Sequence, residues 1–233
     1  IIDEKKHLLK VGAGVIFQNL ITKILPMGYF LPVTAGTSKI TVGGAIAADI
    51  HGKNHPHDGS FGSHVKEVLI IDGCGNLRKL NPDIDSPLET VEDFWATIGG
   101  MGLTGVIVSA TFSLKRISTP FMDVYSQRFS NINELLDNML IQEKKYHYNV
   151  AWIDCFDESF RGILTSANHL QSVQIKSSKI PKYKKFSSIT LPLFFPLNLL
   201  NKNFVKFFNF FYFYNSSNNN RVYKTIESFF YPL

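Results

Sequence analysis

The stretch that decides the fold is Thr41-Val-Gly-Gly-Ala-Ile-Ala-Ala-Asp-Ile-His-Gly52. Together with Ala35-Gly-Thr37 it offers consecutive small residues, whose backbone N–H groups can approach an anion without intervening side chains. The hydroxyls of Ser38 and Thr41 beside it suit a pyrophosphate. The glycine spacing matches neither the dinucleotide fingerprint nor a Walker loop. On spacing alone, the favoured interpretation is a glycine-rich turn that packs a helix closely on a sheet.

A second glycine cluster is Gly99-Gly-Met-Gly-Leu-Thr-Gly105, between a predicted helix and a predicted strand. By itself it is typical of a helix C-cap followed by a turn. Two such clusters in one small domain favour a common extended ligand. The residues alone therefore predict a nucleotide-like cofactor and no more.

Histidines are concentrated in Asp49-Ile-His-Gly-Lys-Asn-His-Pro-His-Asp58. Histidine and aspartate at short spacing are ingredients of a metal site. However, Pro56 and Gly59 interrupt the helix that a His-x-x-x-His pair would need, so no metal is predicted. A polar pocket lining fits better, with Lys53 offering a charge to an anionic group and His51 a hydrogen-bond donor.

The composition predicts one large domain or two small ones, since 45% of the 233 residues are hydrophobic and 18% are charged. The net charge is +5, but five lysines crowd Lys176–Lys185. Such a cluster is typical of a solvated loop or of a patch facing anionic lipid or phosphate, and nucleic-acid binding is not expected. Cys74 and Cys155 match no disulfide scaffold or metal spacing.

The pattern of the first half predicts a mixed α and β domain. A strand at residues 7–13, a helix over Val15–Leu25 and a strand over Tyr29–Val33 give a β-α-β start. The further predicted elements are two strands of a hairpin (Val65–Asp72 and Leu77–Leu80), a helix (Leu88–Thr97) and a long strand (Leu103–Lys115).

The pattern resets around Ser118-Thr-Pro-Phe121, which predicts that a second domain begins near residue 117. The predicted elements there are strands over Asp123–Phe129 and Tyr146–Phe156 and a helix over Asn133–Lys144. The predicted inward residues of that helix are Leu135, Leu136, Met139 and Leu140. We therefore expect domains at residues 1–116 and 117–233.

Leu191–Tyr214 is the one candidate for a membrane segment. Proline, asparagine and lysine interrupt it, so no run approaches the roughly 18 apolar residues that a span needs. Aromatic packing in a core is the favoured interpretation and a surface-seeking segment the alternative. The start at Ile1 and the aromatic end Phe229-Phe-Tyr-Pro-Leu233 predict a piece of a longer protein.

Three segments resemble the vanillyl-alcohol-oxidase class of flavoproteins, which carries a PCMH-type FAD-binding domain: Thr41–His55, Gly59–Gly62 and Phe94–Gly105. The string Asp49-Ile-His-Gly-Lys-Asn-His55 is the specific part, and it is most similar to members of the class that oxidise a polyprenylphosphoryl ribose. The resemblance implies an α+β fold. Residues 1–116 would be the second part of a two-subdomain FAD-binding domain, and residues 117–233 part of an α+β substrate domain with an antiparallel sheet.

The resemblance also implies FAD held without a covalent link, mainly through backbone. The implied FAD contacts are Gly36, Thr37, Thr41, Val42, Gly43, Gly44, Ala48, Asp49, Ile50, His51 and Ile107. His51 and Lys53 would border the isoalloxazine ring and the sugar-phosphate pocket, and Trp152 would contact the substrate. The first pyrophosphate loop and the substrate-side Lys and Tyr of the class would lie outside residues 1–233. The catalytic residues therefore stay unassigned, and we expect this chain alone to be inactive.

The activity that the resemblance implies is hydride transfer to flavin from a secondary alcohol of a sugar, as the oxidase half of a 2′-epimerisation that serves arabinan and cell-wall synthesis. An NAD-dependent reductase would be the partner. The protein would contact the membrane peripherally, on the cytoplasmic or periplasmic face. The alternatives are an aldonolactone or alditol oxidase and, outside enzymes, an inactive flavin-binding or membrane-peripheral module.

Overall fold

The computed structural model describes residues 1–172 and 201–231. The chain divides into two compact units, Ile1–Pro120 and Phe121–Leu233. In the described residues helices are interspersed among strands, and every strand pairing there is antiparallel. This confirms the predicted α+β class. The lysine-rich loop predicted at Lys176–Lys185 lies outside the described residues, as does the first part of Leu191–Tyr214.

Two sheets and four helices form the first unit. The strands are β1 (Ile2–Asp3), β2 (Leu8–Gly12), β3 (Tyr29–Phe30), β4 (Val65–Ile71), β5 (Leu77–Leu80), β6 (Val106–Ser113) and β7 (Lys115–Arg116). The helices are α1 (Phe17–Ile24), α2 (Val42–Ala47), α3 (His55–Asp58) and α4 (Leu88–Thr97), with 3-10 turns at Leu25–Met27 and Phe61–His64. The main sheet has the order β1-β2-β6-β4-β5, and β3 pairs with β7.

The main sheet has one buried face and one polar face, the alternation expected of an antiparallel sheet. Val68 pairs with Ala110 on the buried face. On the other face Glu67 binds Lys10 at 3.4 Å and Lys79 at 2.7 Å. Burial raises the pKa of the Glu67 carboxyl, but the hydrogen bonds and charges of Lys79 and Lys10 outweigh burial, so the pKa is lowered.

Three phenylalanines join the elements of the first unit through its core. The Phe61 ring lies 5.5 Å from the Phe17 ring on α1 and 5.0 Å from the Phe112 ring on β6. All three side chains are fully buried. Aromatic pairs at this separation stabilise a core beyond the area that they bury. The segment that carries the candidate site is thereby fixed to both a helix and the sheet.

The predicted β-α-β start needs a correction. The strand expected over Tyr29–Val33 covers only Tyr29–Phe30 and pairs with β7, so it does not join β2 in one sheet. Pro32 lacks the N–H that a longer ladder requires. The strand expected over Leu103–Lys115 is β6 followed by the short β7. It begins only at Val106, because Gly102 and Gly105 have positive φ angles of 81° and 141°.

Within residues 121–172 and 201–231, the second unit has a four-stranded antiparallel sheet and three helices. The strands are β8 (Phe121–Phe129), β9 (Tyr148–Ile153), β10 (Gly162–His169) and β11 (Asn220–Thr225). The helices are α5 (Ile132–Glu143), α6 (Lys202–Asn215) and α7 (Ile226–Phe230). The sheet order is β11-β8-β10-β9.

Helix α5 corrects a prediction about which leucines face inward. Leu135 is fully buried, but Leu136 is 49% and Leu140 64% exposed. The buried stripe instead runs from Leu135 to Gln142, whose Nε2 donates to Gln127 Oε1 at 3.0 Å. The helix lies so close to the sheet that a Cβ on Gly162 would stand 2.4 Å from Leu135 Cδ1. The narrow buried stripe of α5 is therefore enough for the helix to pack on the sheet.

Replacement of Gly105 by alanine is expected to destabilise the first unit. The φ angle is 141°, and an added Cβ would stand 2.3 Å from the Ile71 carbonyl oxygen. We expect Gly105→Ala to lower the free energy of unfolding by about 2 kcal/mol or more, measured by urea denaturation. Gly73→Ala is the matched control, since nothing lies within 4 Å of its added Cβ. Equal stability of the two variants would contradict this geometry.

Candidate functional site

Helix α2 begins at a side-chain cap. Thr41 is the N-cap, and its Oγ1 accepts a hydrogen bond from the Gly44 N–H at 3.1 Å. The Val42 N–H donates to Val15 O at 2.9 Å, and the Gly43 N–H donates to Ala13 O at 2.8 Å. The anion nest expected at residues 41–46 is therefore not formed by these three N–H groups, because protein acceptors occupy them.

Gly43 has a close-packing role, which is the interpretation that glycine spacing alone favoured. Its Cβ would stand 3.0 Å from the Ala13 side chain. The glycine lets α2 approach the segment between β2 and α1. Contacts of Val42, Gly43 and Gly44 with FAD stay predictions, and they would have to use atoms other than these N–H groups.

The loop that precedes α2 is the open part of the site. Gly36 and Thr37 are exposed, and nothing lies within 4 Å of an added Cβ on Gly36. Within the described residues, the N–H groups of Gly36 and Thr37 donate to no protein acceptor. Thr37 Oγ1 accepts from the Lys39 N–H at 3.2 Å. This loop can therefore offer backbone donors to a ligand oxygen.

Asp49 connects the first glycine stretch to the segment that follows the histidines. It has a positive φ of 41°, and its Oδ1 accepts a hydrogen bond from the Gly62 N–H at 2.8 Å. A Cβ on Gly62 would stand 2.2 Å from Ile98 Cγ2 and 2.8 Å from Asp49 Oδ1. Glycine is thus required at 62 for the two segments to meet.

The second glycine cluster lies against the end of α2. The Gly99 N–H donates to Ile46 O at 3.0 Å, and the Met101 N–H donates to Ala47 O at 2.8 Å. The structure therefore brings the two glycine clusters together. Met101 is exposed with a positive φ of 53°.

The histidine segment forms a short turn of helix where the sequence had predicted none. Helix α3 spans His55–Asp58, because proline is tolerated in the first turn of a helix. His51 lies outside it, exposed, and its ring is 5.2 Å from the His55 ring. No cluster of three metal-ligating side chains occurs in residues 1–172 and 201–231.

Asn54 fixes the chain between His51 and α3. The side chain is buried, and its Nδ2 donates to Pro32 O at 2.8 Å and to Asp58 Oδ2 at 2.5 Å. A Cβ on Gly52 would stand 2.6 Å from the Thr34 carbonyl oxygen. The backbone between His51 and Lys53 therefore runs directly against the strand-like segment before the open loop, and Lys53 is half-buried there.

The remaining predicted residues differ in where they lie. Ala48 is exposed and Ile50 half-buried. Ile107 pairs with Ile70, whose side chain is buried, so its side chain faces the core side of the sheet. Trp152 belongs to the second unit, on β9, with its ring 4.9 Å from Tyr212 of α6. Gly62 belongs to the segment Gly59–Gly62 that carries the resemblance, but sequence reasoning gave it no role in the site, because its close contacts leave no spacing signal.

Comparison with known proteins gives the class. Residues 1–81 match the family model described as the FAD binding domain. A protein of Streptomyces coelicolor, named for the mprA 5′ region, is 32% identical over 158 residues, or 66% of this chain and 41% of its own length. Cytokinin dehydrogenase 8 of Oryza sativa is 29% identical over 136 residues, or 55% of this chain and 24% of its own. The chain thus carries a PCMH-type FAD-binding domain, and its cofactor is FAD.

One relative matches along the whole chain. It is a decaprenylphosphoryl-beta-D-ribose oxidase of Mycolicibacterium smegmatis, 36% identical over 248 residues, which cover 100% of this chain and 51% of the relative. The chain thus spans about half the length of this relative.

The residues present fit FAD. Gly36 leaves open space in front of the loop, where the N–H groups have no protein acceptor in the part of the chain that the structure describes. Within the same residues, the buried Thr34 Oγ1 has no hydrogen-bond partner. Buried hydroxyls are normally satisfied, so a polar ligand at this loop would complete the site.

Replacement of Asp49 by alanine is expected to loosen the junction of the glycine clusters. It removes the acceptor for the Gly62 N–H and the side chain that tolerates a positive φ. We expect a loss of about 2 kcal/mol in the free energy of unfolding and weaker FAD binding, measured by urea denaturation and by flavin fluorescence quenching. Asp49→Asn keeps both features and should stay near the original chain. If alanine and asparagine behave alike, Asp49 does not hold this junction.

Proposed function

We propose that this chain holds the flavin in an oxidase that removes hydride from a secondary alcohol of a sugar, and that the sugar is a polyprenylphosphoryl ribose. The observation that carries the proposal is the match of the whole of this chain to about half of a decaprenylphosphoryl-beta-D-ribose oxidase, 51% of that protein's length. The proposed FAD contacts are those predicted from the sequence. In this assignment the open loop at Gly36 and Thr37 receives polar groups of the cofactor, and α2 supports the isoalloxazine ring.

FAD, when bound, supplies the acceptor for the hydride. The residues of this chain bind and orient. His51 presents an exposed imidazole on the segment that Asn54 fixes, and an imidazole N–H can donate to a hydroxyl or carbonyl oxygen. Lys53, two residues further, offers a positive charge to the phosphate of the substrate. The contact of Trp152 with the substrate stays a prediction from the resemblance.

The product of such an oxidation is a keto sugar. Net inversion at the same carbon requires a second enzyme that returns hydride, so an NAD-dependent reductase is the proposed partner. A polyprenyl chain partitions into lipid, and peripheral contact with a membrane is part of the proposal. Within the described residues, no helix is long and apolar enough to cross a membrane.

Substitution of Lys53 tests the assignment of the phosphate. The chain is loaded with FAD, and the change in the flavin absorbance spectrum is titrated with a polyprenylphosphoryl ribose and with a free aldonolactone. We expect Lys53→Gln to raise the half-saturating concentration of the phosphorylated sugar about tenfold, as for a lost charged hydrogen bond, and to leave FAD binding unchanged.

The control for this titration is Lys66→Gln, which alters an exposed lysine on β4. If the aldonolactone perturbs the flavin at lower concentration than the phosphorylated sugar, an aldonolactone or alditol oxidase is the better assignment. If flavin binds and no sugar perturbs it, the chain is a flavin-binding module without a substrate site.

A further inference from the structure

Helix α6 exposes an unusual number of aromatic side chains. They are 39–61% exposed and surround most of the helix: Phe204, Phe207, Phe208, Phe210, Phe211, Tyr212 and Tyr214. Three pairs at i and i+4 place rings side by side, with centroids 4.7 Å apart for Phe207 and Phe211. A contiguous exposed apolar surface of this kind marks an interaction site.

The helix is held with this surface outward. Its inner stripe contains Asn209 and Phe213, which are buried. Asn209 Nδ2 donates to the buried Asp154 Oδ1 at 2.6 Å, and Asp154 also accepts from Arg161 Nη2 at 2.9 Å. Arg161 lies 5.0 Å over the Phe213 ring. These contacts hold Asn209 and Phe213 on the inner side of α6, so the exposed rings lie on its other faces.

A second arginine fixes the end of the helix. Arg128 Nη1 donates to Phe213 O at 3.3 Å and to Tyr214 O at 2.8 Å. These are the carbonyl groups that a helix leaves unsatisfied at its C-terminus. The orientation of α6 on the second unit is therefore specified at its middle and at its end.

The charge of α6 complements an anionic surface. Its charged residues are Lys202 and Lys206, both exposed, and it carries no acidic residue. A second copy of the same helix would meet it with lysines and aromatic rings and no carboxylate. Exposed Phe and Tyr beside Lys, on a helix too short to span a bilayer, are typical of a helix that lies in the headgroup region.

We propose that α6 is a docking surface for an anionic phospholipid bilayer. The helix lies along the membrane plane, with the rings around Phe207 and Phe211 in the interface and Lys202 and Lys206 near lipid phosphates. The proposal rests on the membrane contact of the proposed function and names the surface that makes it, but it does not depend on the flavin chemistry, since every contact that carries it belongs to the second unit.

The test is co-sedimentation of the 233-residue chain with vesicles of phosphatidylcholine, alone or mixed with phosphatidylglycerol. We expect binding to the anionic vesicles, reduced at least about tenfold by Phe207→Ser with Phe211→Ser. Lys202→Gln with Lys206→Gln should reduce binding to anionic vesicles about tenfold and leave binding to neutral ones unchanged.

The matched control is Leu136→Ser with Leu140→Ser, two exposed apolar residues at the same spacing on α5. This pair should leave vesicle binding unchanged, and circular dichroism melting should verify the fold of each variant. Absence of vesicle binding, or equal loss in the α5 and α6 pairs, would overturn the proposal. A concentration-dependent dimer that Phe207→Ser with Phe211→Ser abolishes, without vesicle binding, would assign the surface to a second copy instead.

Discussion

The hydrogen bond from the Gly62 N–H to the Asp49 carboxylate is the constraint on which the candidate site depends. It joins the end of α2 to the segment after the histidines, and the Gly99 N–H joins the second glycine cluster to the same end of α2. Three stretches far apart in sequence thereby form one surface. Asp49 can occupy its position because aspartate tolerates a positive φ. Glycine is required at position 62 because no side chain fits between Asp49 and Ile98.

The same junction explains how the segment around His51, which carries few large apolar side chains, keeps its position. Phe61 precedes Gly62 and enters the core between Phe17 and Phe112. Burial of such a ring contributes several kcal/mol, as the loss on truncation of core phenylalanines shows (about 3–5). The backbone on either side of His51 is thus fixed by packing, and the exposed loop at Gly36 is left for a ligand.

Much of the fold could be predicted from sequence periodicity. Helix α4 has the predicted bounds Leu88–Thr97, and the hairpin of β4 and β5 forms as expected. Strands β10 and β11 were missed, because their pairing with β8 depends on residues about forty and a hundred positions away. The resemblance of Thr41–His55 to a flavoprotein class was confirmed by the match of residues 1–81 to the FAD binding domain, whereas Phe94–Gly105 lies within the match to the ribose oxidase of Mycolicibacterium smegmatis.

The roles of individual glycines could not be predicted from spacing. Gly43 and Gly62 relieve close packing, whereas Gly36 faces open space, and all three occur in equally glycine-rich sequence. The acceptors that occupy the first N–H groups of α2 come from Ala13 and Val15, which no local pattern around Thr41 reveals. Spacing locates a ligand-binding segment, but tertiary contacts decide which N–H groups it offers.

Hydrogen exchange of the backbone amides, measured with and without FAD, tests most directly whether the two glycine clusters form one wall of a flavin site. The account predicts that FAD slows exchange in peptides that cover residues 35–40 and 99–105 together. Exchange in β5 should stay the same, since that strand lies at the far edge of the sheet order. FAD binding that protects neither glycine cluster would contradict the account.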